Sequence, residues 1–427
     1  MRARTLLNMM PSLLLLTHLP SHCANWPSWR ADIAGSGKTT EADVPTEWGP
    51  EKNVVWRTPL PNRGNSTPAI WDDRVFVTQP IEAENFRGLM CFDRADGKLL
   101  WKSGVTYATP ERTHNSNPCC SASPVTDGER VVVSFASAGI CAYDFQGKKL
   151  WNRDLGPIDH IWGHASSPVI YKDLAIVYHG PGPGSRLVAL NKKTGALAWE
   201  WKEPLWDTRD RTDGFKGREK GAVDGTWSTP IVIAANGRDE LVMAFPTQVI
   251  GFDPATGKQR WCCRGLSPLI YTSPFFGDGT IVALGAYSGN SLAVRPGGEG
   301  DVTESRRLWH FVRHDGGVGS GIIRNGYLFY HTIAAETACL DIKTGNTMWR
   351  QRLRSDARQA NSWSSMVLAD DRIFLPNKKG DVFVFRASPK FEQIAVNSLG
   401  EDTDSSPVIS GGRVFIRTHK ALWCLGK

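Results

Sequence analysis

Asp93-Arg94-Ala95-Asp96-Gly97-Lys98-Leu99-Leu100-Trp101 is one copy of a pattern that returns along the chain. It recurs at residues 144–151, 191–199, 253–261 and 341–349, each opening on Asp or Asn and closing on Trp. A Gly stands three or four residues into every copy (Gly147, Gly195, Gly257, Gly345). A weaker copy at 295–309 carries an insertion at 296–306. Asp and Asn bond their own turn backbone and Gly supplies the φ > 0 position, so each copy predicts a hairpin with Trp on its second strand.

A second element precedes each hairpin. Thr67, Ser123, Ser167, Thr229, Ser273, Ser320, Ser365 and Ser406 each open a short apolar strand. A tight turn and another apolar strand follow, the turns including Asp127-Gly128, Asn236-Gly237 and Asn325-Gly326. The hydroxyl residues stand 56, 44, 62, 44, 47, 45 and 41 positions apart. Four short strands at that period make a propeller blade, and eight units are visible. The eighth stops before its fourth strand. Asn53-Val54-Val55-Trp56 carries the Trp that this strand should hold, so the N-terminal strand is expected to complete the last blade and close the ring. The fold class is therefore all-β, an eight-bladed propeller of four-stranded antiparallel blades over residues 53–427.

None of these Trp residues is followed by Asp, which excludes the WD-type blade ending. The pattern Ala/Cys-x-Asp-x-x-Thr-Gly-Lys-x-x-Trp instead resembles the repeat of PQQ-like (quinoprotein alcohol dehydrogenase-like) eight-bladed propellers, over nearly all of residues 53–427. Asn25-Trp26-Pro27-Ser28-Trp29-Arg30 looks like the start of secreted members. The resemblance is specific for fold and poor for function. It implies either a quinone-dependent dehydrogenase, with PQQ and calcium as cofactors, or a non-enzymatic assembly protein similar to the outer-membrane lipoprotein BamB.

Residues 1–24 read as a signal peptide: Arg2 and Arg4, an apolar run at 5–19, and small residues before a cleavage point after Cys23 or Ala24. Residues 25–52 are an N-terminal extension. No later stretch approaches 18 apolar residues, so no transmembrane segment is expected and the location is periplasmic or secreted. The net charge of +7 falls to +5 without Arg2 and Arg4. No dense basic run accompanies it, so nucleic acid is not an expected partner. The expected partners are a small molecule, a polysaccharide or an envelope protein.

The recurring Trp residues are expected to pack between blades, and Trp349→Ala to cost about 3–5 kcal/mol. Cys91, Cys339 and Cys424 fill a slot that takes Ala or Gly elsewhere, which marks them as structural. Cys119-Cys120 precedes an innermost strand. The family resemblance implies that such a vicinal pair could form a disulfide against the quinone; the alternative is two adjacent small residues, or pairing with other cysteines in an oxidising compartment. There is no Cys-x-x-Cys-His for a c-type haem. His160-Ile161-Trp162-Gly163-His164 has a metal-like spacing, but in a loop, and no metal is assigned.

The loops joining each outer strand to the next inner strand should converge at the channel mouth. They carry Arg63 and Asn65; His114, Asn117, Cys119 and Cys120; His160, Trp162 and His164; Trp227; Tyr271; His314 and Asp315; Asn361 and Trp363; Asp402 and Asp404. Such a set suits a polar ligand bound by stacking and hydrogen bonds; a solvated rim is the alternative. Changing His160 and Trp162 to Ala is expected to leave the fold nearly intact, as for exposed loop positions. The leading expectation is a ligand- or protein-binding scaffold without catalysis. In the alternative, a quinone-dependent oxidoreductase, Cys119-Cys120 and Trp227 would sandwich the quinone and Arg63 would polarise a carbonyl. The insertion at 200–226 could cover the mouth or hang in solvent.

Overall fold

The hairpin at 93–101 joins the last two strands of the first blade. That blade runs Ala69–Trp71, Arg74–Ile81, Phe86–Asp93 and Leu99–Thr106, hydrogen-bonded in sequence order. The computed structural model describes residues 24–208, 211, 213, 224–285, 287–314, 316–355 and 361–427; the expected signal peptide, apart from Ala24, lies outside them. Within those residues the chain forms eight small antiparallel sheets in a ring, the propeller read from the repeat.

The blades stack face to face, so their middle strands are buried on both sides. Val131, Val132 and Val133 in Arg130–Ser134 are all inaccessible to solvent. Such strands read as continuous apolar runs rather than alternating ones, because neither face meets water. The outermost strands alternate instead: in Leu197–Lys202 the docking Trp199 is buried between exposed neighbours.

The last blade is built from both ends of the chain. Val408–Ser410, Arg413–Arg417 and Ala421–Leu425 are completed by Val54–Pro59, antiparallel, with Trp56 opposite Cys424. This is the closure expected from the missing fourth strand. Two short parallel additions extend other blades. Gly300–Asp301, from the insertion at 296–306, pairs with Gln259–Arg264, and Lys38–Thr39 pairs with Val367–Ala369.

The recurring Trp residues couple each blade to the next. Trp56, Trp101, Trp151, Trp199, Trp309 and Trp349 each donate Nε1–H to a backbone carbonyl in or beside the following blade's hairpin turn, at 2.9–3.1 Å. The turn Gly lies under the indole. A Cβ on Gly97 would sit 2.5 Å from Trp56, and one on Gly257 would sit 2.4 Å from Trp199. Gly is thus required twice there, for positive φ and for space. Trp261 departs from the rule. The following blade's hairpin is replaced by the insertion, and its Nε1 donates to the buried Glu240 carboxylate at 2.9 Å. Burial is also uneven. Trp261 is fully buried whereas Trp349 is partly exposed, so of the two Trp261→Ala is expected to cost more.

Residues 25–52 do more than extend the chain. Trp26 bridges Ile70, the Pro27 carbonyl accepts from Thr126, the Ile33 carbonyl from Val232, and the Gly37 carbonyl from Leu368. These partners sit on or beside the innermost strands of four blades, beyond the Ser/Thr end. The segment therefore crosses the far end of the channel. Arg30 anchors it: the buried guanidinium donates to the carbonyls of Gly35, Ser36, Ser320, Gly321 and Met366 at 2.6–3.3 Å. Burial lowers its pKa to about 10, which still leaves it charged near neutrality.

Candidate functional site

The hydroxyl residues that mark each repeat form a ring around the channel. The backbone N–H of Thr67 donates to Ser123 Oγ, Ser123 to Ser167, Ser167 to Thr229 and Thr229 to Ser273, at 2.7–2.9 Å. On the other side Ser320 donates to Ser365, Ser365 to Ser406, and Ser406 to Thr67, at 2.9–3.2 Å. The eighth link is reversed, Ser320 Oγ donating to the Ser273 carbonyl at 3.1 Å. Each innermost strand would otherwise leave a buried N–H without a partner, and the next blade's hydroxyl satisfies it.

Above this ring the mouth loops are tied to one another. Asn65 Nδ2 donates to the Ser116 carbonyl at 2.7 Å, Asn117 Nδ2 to the Trp162 carbonyl at 2.6 Å, and Trp227 Nε1 to the Gly163 carbonyl at 2.8 Å. Gly225–Thr226 pairs in parallel with Leu269–Ile270, in register Thr226 to Ile270. The residues that follow these strands, Trp227 and Tyr271, are therefore neighbours, and their rings stack at 4.9 Å and 14°. Trp162 packs at 5.7 Å from Trp227, and His160 meets Trp227 edge-on at 5.0 Å.

Together these loops and the hydroxyl ring enclose a cavity of about 330 Å³, with Trp29 of the N-terminal segment also on its wall. Of the residues expected at the mouth, Asn65, His114, Asn117, Trp162, Trp227, Tyr271, Trp363 and Asp404 line it. Arg63 lies just behind, paired with Asp404 at 2.9 Å. Asp404 also meets Lys378 and His419, each at 3.2 Å. Burial pushes its carboxyl up, but the His419 hydrogen bond and the Lys378 and Arg63 charges outweigh that and hold it below the usual range.

Several expected site residues are elsewhere. His160 and His164 are buried, 4% and 7% exposed, so the expectation that His160 behaves as an exposed loop position fails. His160 Nδ1 accepts the Trp162 N–H at 3.2 Å, and burial lowers its pKa to about 4. His164 is held between Ser134 Oγ at 3.1 Å and the Gly180 carbonyl at 2.6 Å. His314 bonds Tyr330 and Ser291 and does not line the cavity. Asp315 and most of the stretch 209–223 lie outside the described residues.

Cys119 and Cys120 are free thiols in a separate small recess with Glu111, Ser134 and His164. Glu111, missed in the sequence, organises that recess: buried, it pairs with Arg87 and accepts from Ser137 Oγ at 2.6 Å, with Cys119 Sγ at 3.9 Å. Burial raises both thiol pKa values, which opposes thiolate chemistry. Cys119-Cys120 and Trp227, expected to sandwich a quinone in the alternative reading, line two different recesses. The wall residues do not fit calcium, which takes six to eight oxygen ligands. Among the described residues Asp404 is the single Asp or Glu on the wall, and it is committed to cations. Among the described residues no three His, Cys, Asp or Glu side chains gather as a metal site.

Comparison with known proteins agrees with the repeat. A family model described as outer membrane protein assembly factor BamB matches residues 50–213, 91–309 and 277–389. A relative, outer membrane protein assembly factor BamB of Moranella endobia (strain PCIT), is 25% identical over 320 residues, covering 74% of this chain and 73% of the relative. Among solved structures, a quinohemoprotein alcohol dehydrogenase from Comamonas testosteroni superposes with a TM-score of 0.68 at 12% identity, over 95% of this chain and 81% of that one. BamB from Moraxella catarrhalis superposes with a TM-score of 0.58 at 14% identity, over 85% and 94% of the two chains. At such identities the structural likenesses establish the fold alone.

Proposed function

This chain belongs to the PQQ-like propeller family described as outer membrane protein assembly factor BamB, and on that footing we propose that it is an exported protein-interaction module of the cell envelope. The module binds without catalysing a reaction, and its working face is the channel mouth. The observation that carries the reading is the family match along most of the propeller. The geometry supports the choice of face. The mouth loops are cross-tied, so they present a preorganised surface and lose little freedom on binding. Ile161 and Tyr287 stand exposed there, Tyr287 on the cavity wall and Ile161 beside Trp162. The opposite end is occupied by residues 25–52 of the same chain. The basic and apolar leader supports export, and among the described residues no helix is long and apolar enough to cross a membrane.

Photo-cross-linking in the native host tests both parts of this reading. A photoreactive residue at position 161 or 287 is expected to capture one envelope protein of the outer-membrane assembly machinery. The same probe at Leu150 or Met348, exposed on the outer strands, is expected to capture none. Cross-links confined to the outer-strand positions would overturn the choice of face. Recovery of the unprocessed chain in the cytoplasm would overturn export.

A further inference from the structure

We propose that the central cavity is a binding site for a neutral sugar residue, a function separate from capture of a protein at the mouth. Three features of the wall point to that chemistry. The first is the hydroxyl ring. Thr67, Ser123, Ser167, Thr229, Ser273, Ser365 and Ser406 all line the cavity, and each uses its oxygen to accept an N–H from the adjoining blade. A hydroxyl that accepts in this way still has a hydrogen to donate. Among the described residues none of these seven donates it to a protein acceptor, whereas Ser320, which does, is absent from the wall. The cavity is therefore surrounded by O–H donors waiting for an oxygen-rich ligand.

The second feature is a cluster of aromatic rings beside polar groups. Trp162, Trp227 and Tyr271 enter from the loops before the third, fourth and fifth blades. Asp404 and Asn65 enter from the loops before the eighth and first, across the ring. A pyranose has the matching duality: an apolar C–H face that stacks on an aromatic ring, and hydroxyls that both donate and accept. Sugar oxygens can receive from the Ser/Thr ring. The third feature is charge. Among the described residues Asp404 is the one Asp, Glu, Lys or Arg on the wall. Its carboxylate is buried and already paired with Arg63, Lys378 and His419, so the wall offers an anionic ligand no unpaired cation, and a neutral ligand is favoured over a uronate or a carboxylated quinone. The volume of about 330 Å³ lies at the small end of ligand sites, which run to roughly 1,000 Å³.

The experiment is calorimetry and tryptophan-fluorescence titration of the full mature chain with glucose, galactose, N-acetylglucosamine, maltose and cellobiose. Glucuronate and PQQ serve as the anionic comparators. At least one neutral sugar is expected to bind and to perturb the fluorescence, and glucuronate is expected to bind at least about tenfold more weakly. Trp162→Ala should weaken the neutral sugar by at least about tenfold while Trp162→Phe, which keeps a stacking face, retains it. If Trp162→Ala does not fold, Trp363→Ala on the facing wall takes its place. The proposal is overturned if no sugar of the set binds up to about 10 mM, a weak millimolar interaction being the least that would count. It is equally overturned if an anionic comparator binds best, or if a folded Trp162→Ala binds as the unaltered chain does. None of these results bears on the cross-linking outcome, so this site and the protein-binding face stand or fall separately.

Discussion

Lowering the pH should destabilise this propeller before most of its carboxylates are neutralised, because its buried histidines are held neutral. Burial lowers the pKa of His160 from 6.5 to about 4 and that of His179 to about 3, and it also lowers His164 and His331. A group whose folded pKa lies below its unfolded value costs nothing above the unfolded value. Stability is lost as pH falls from there toward the folded pKa, since the unfolded chain binds the extra proton. For His160, with about 1.4 kcal/mol per unit, the loss reaches about 2.5 kcal/mol near pH 4.5, and His179 adds a similar amount. That is a large part of a typical stability of about 5–15 kcal/mol. Glu203 works the other way: burial raises its pKa, so protonation returns some stability over the same window.

The assay is urea or thermal unfolding at intervals from about pH 7 to pH 4.5, on the unaltered chain and on His160→Gln. The Gln side chain cannot titrate. The unaltered chain should lose stability steeply below about pH 6.5, and His160→Gln should show a shallower slope by close to one proton. A flat profile to pH 4.5 would refute the burial argument. An unchanged slope in His160→Gln would show that this histidine is not part of it.

Three further outcomes follow from the packing. Ser167→Ala removes the acceptor of the Ser123 N–H and should cost about 1–3 kcal/mol in chemical unfolding, with urea dependence unchanged; a cost near zero would mean that the hydroxyl ring is ornamental to stability. Trp261→Ala, at a fully buried indole, should lower stability by about 3–5 kcal/mol, and Trp349→Ala, half-buried, by clearly less, measured in the same way; the reverse order would contradict the packing described for the two positions. Deleting residues 25–58 removes both the closing strand and Arg30, and should give insoluble or partly unfolded protein; a truncated chain with a cooperative melt near the full-length temperature would refute ring closure.

How far each feature could be read from the sequence depends on how its partners are encoded. The blades, the closing strand at Trp56 and the Trp–hairpin coupling are written locally and eight or nearly eight times over, so one weak copy is corrected by the others. The hydroxyl ring was half legible. Thr67 to Ser406 mark every inner strand, and the separations between successive members equal the separations of the bonded pairs, but chemistry alone leaves open whether a hydroxyl serves its own strand or the next. The features that escaped occur once. Arg30 gathers carbonyls from near 320 and 366, about three hundred residues away, and nothing near Arg30 signals it. Glu111 resembles any exposed loop carboxylate until Arg87 and Ser137 close over it. His160 reads as a mouth residue and proves to be support behind Trp162 and Trp227. The repeat by itself already makes the two ends of the ring different, with the hydroxyl residues and the outer-to-inner loops at one of them. The single-copy residues sharpen that difference. Residues 25–52 occupy one end, and the tied loops with their stacked aromatics shape the other. The eightfold repetition is thus broken by a handful of unrepeated side chains, and among the described residues the N-terminal segment covers the end of the channel opposite the mouth loops.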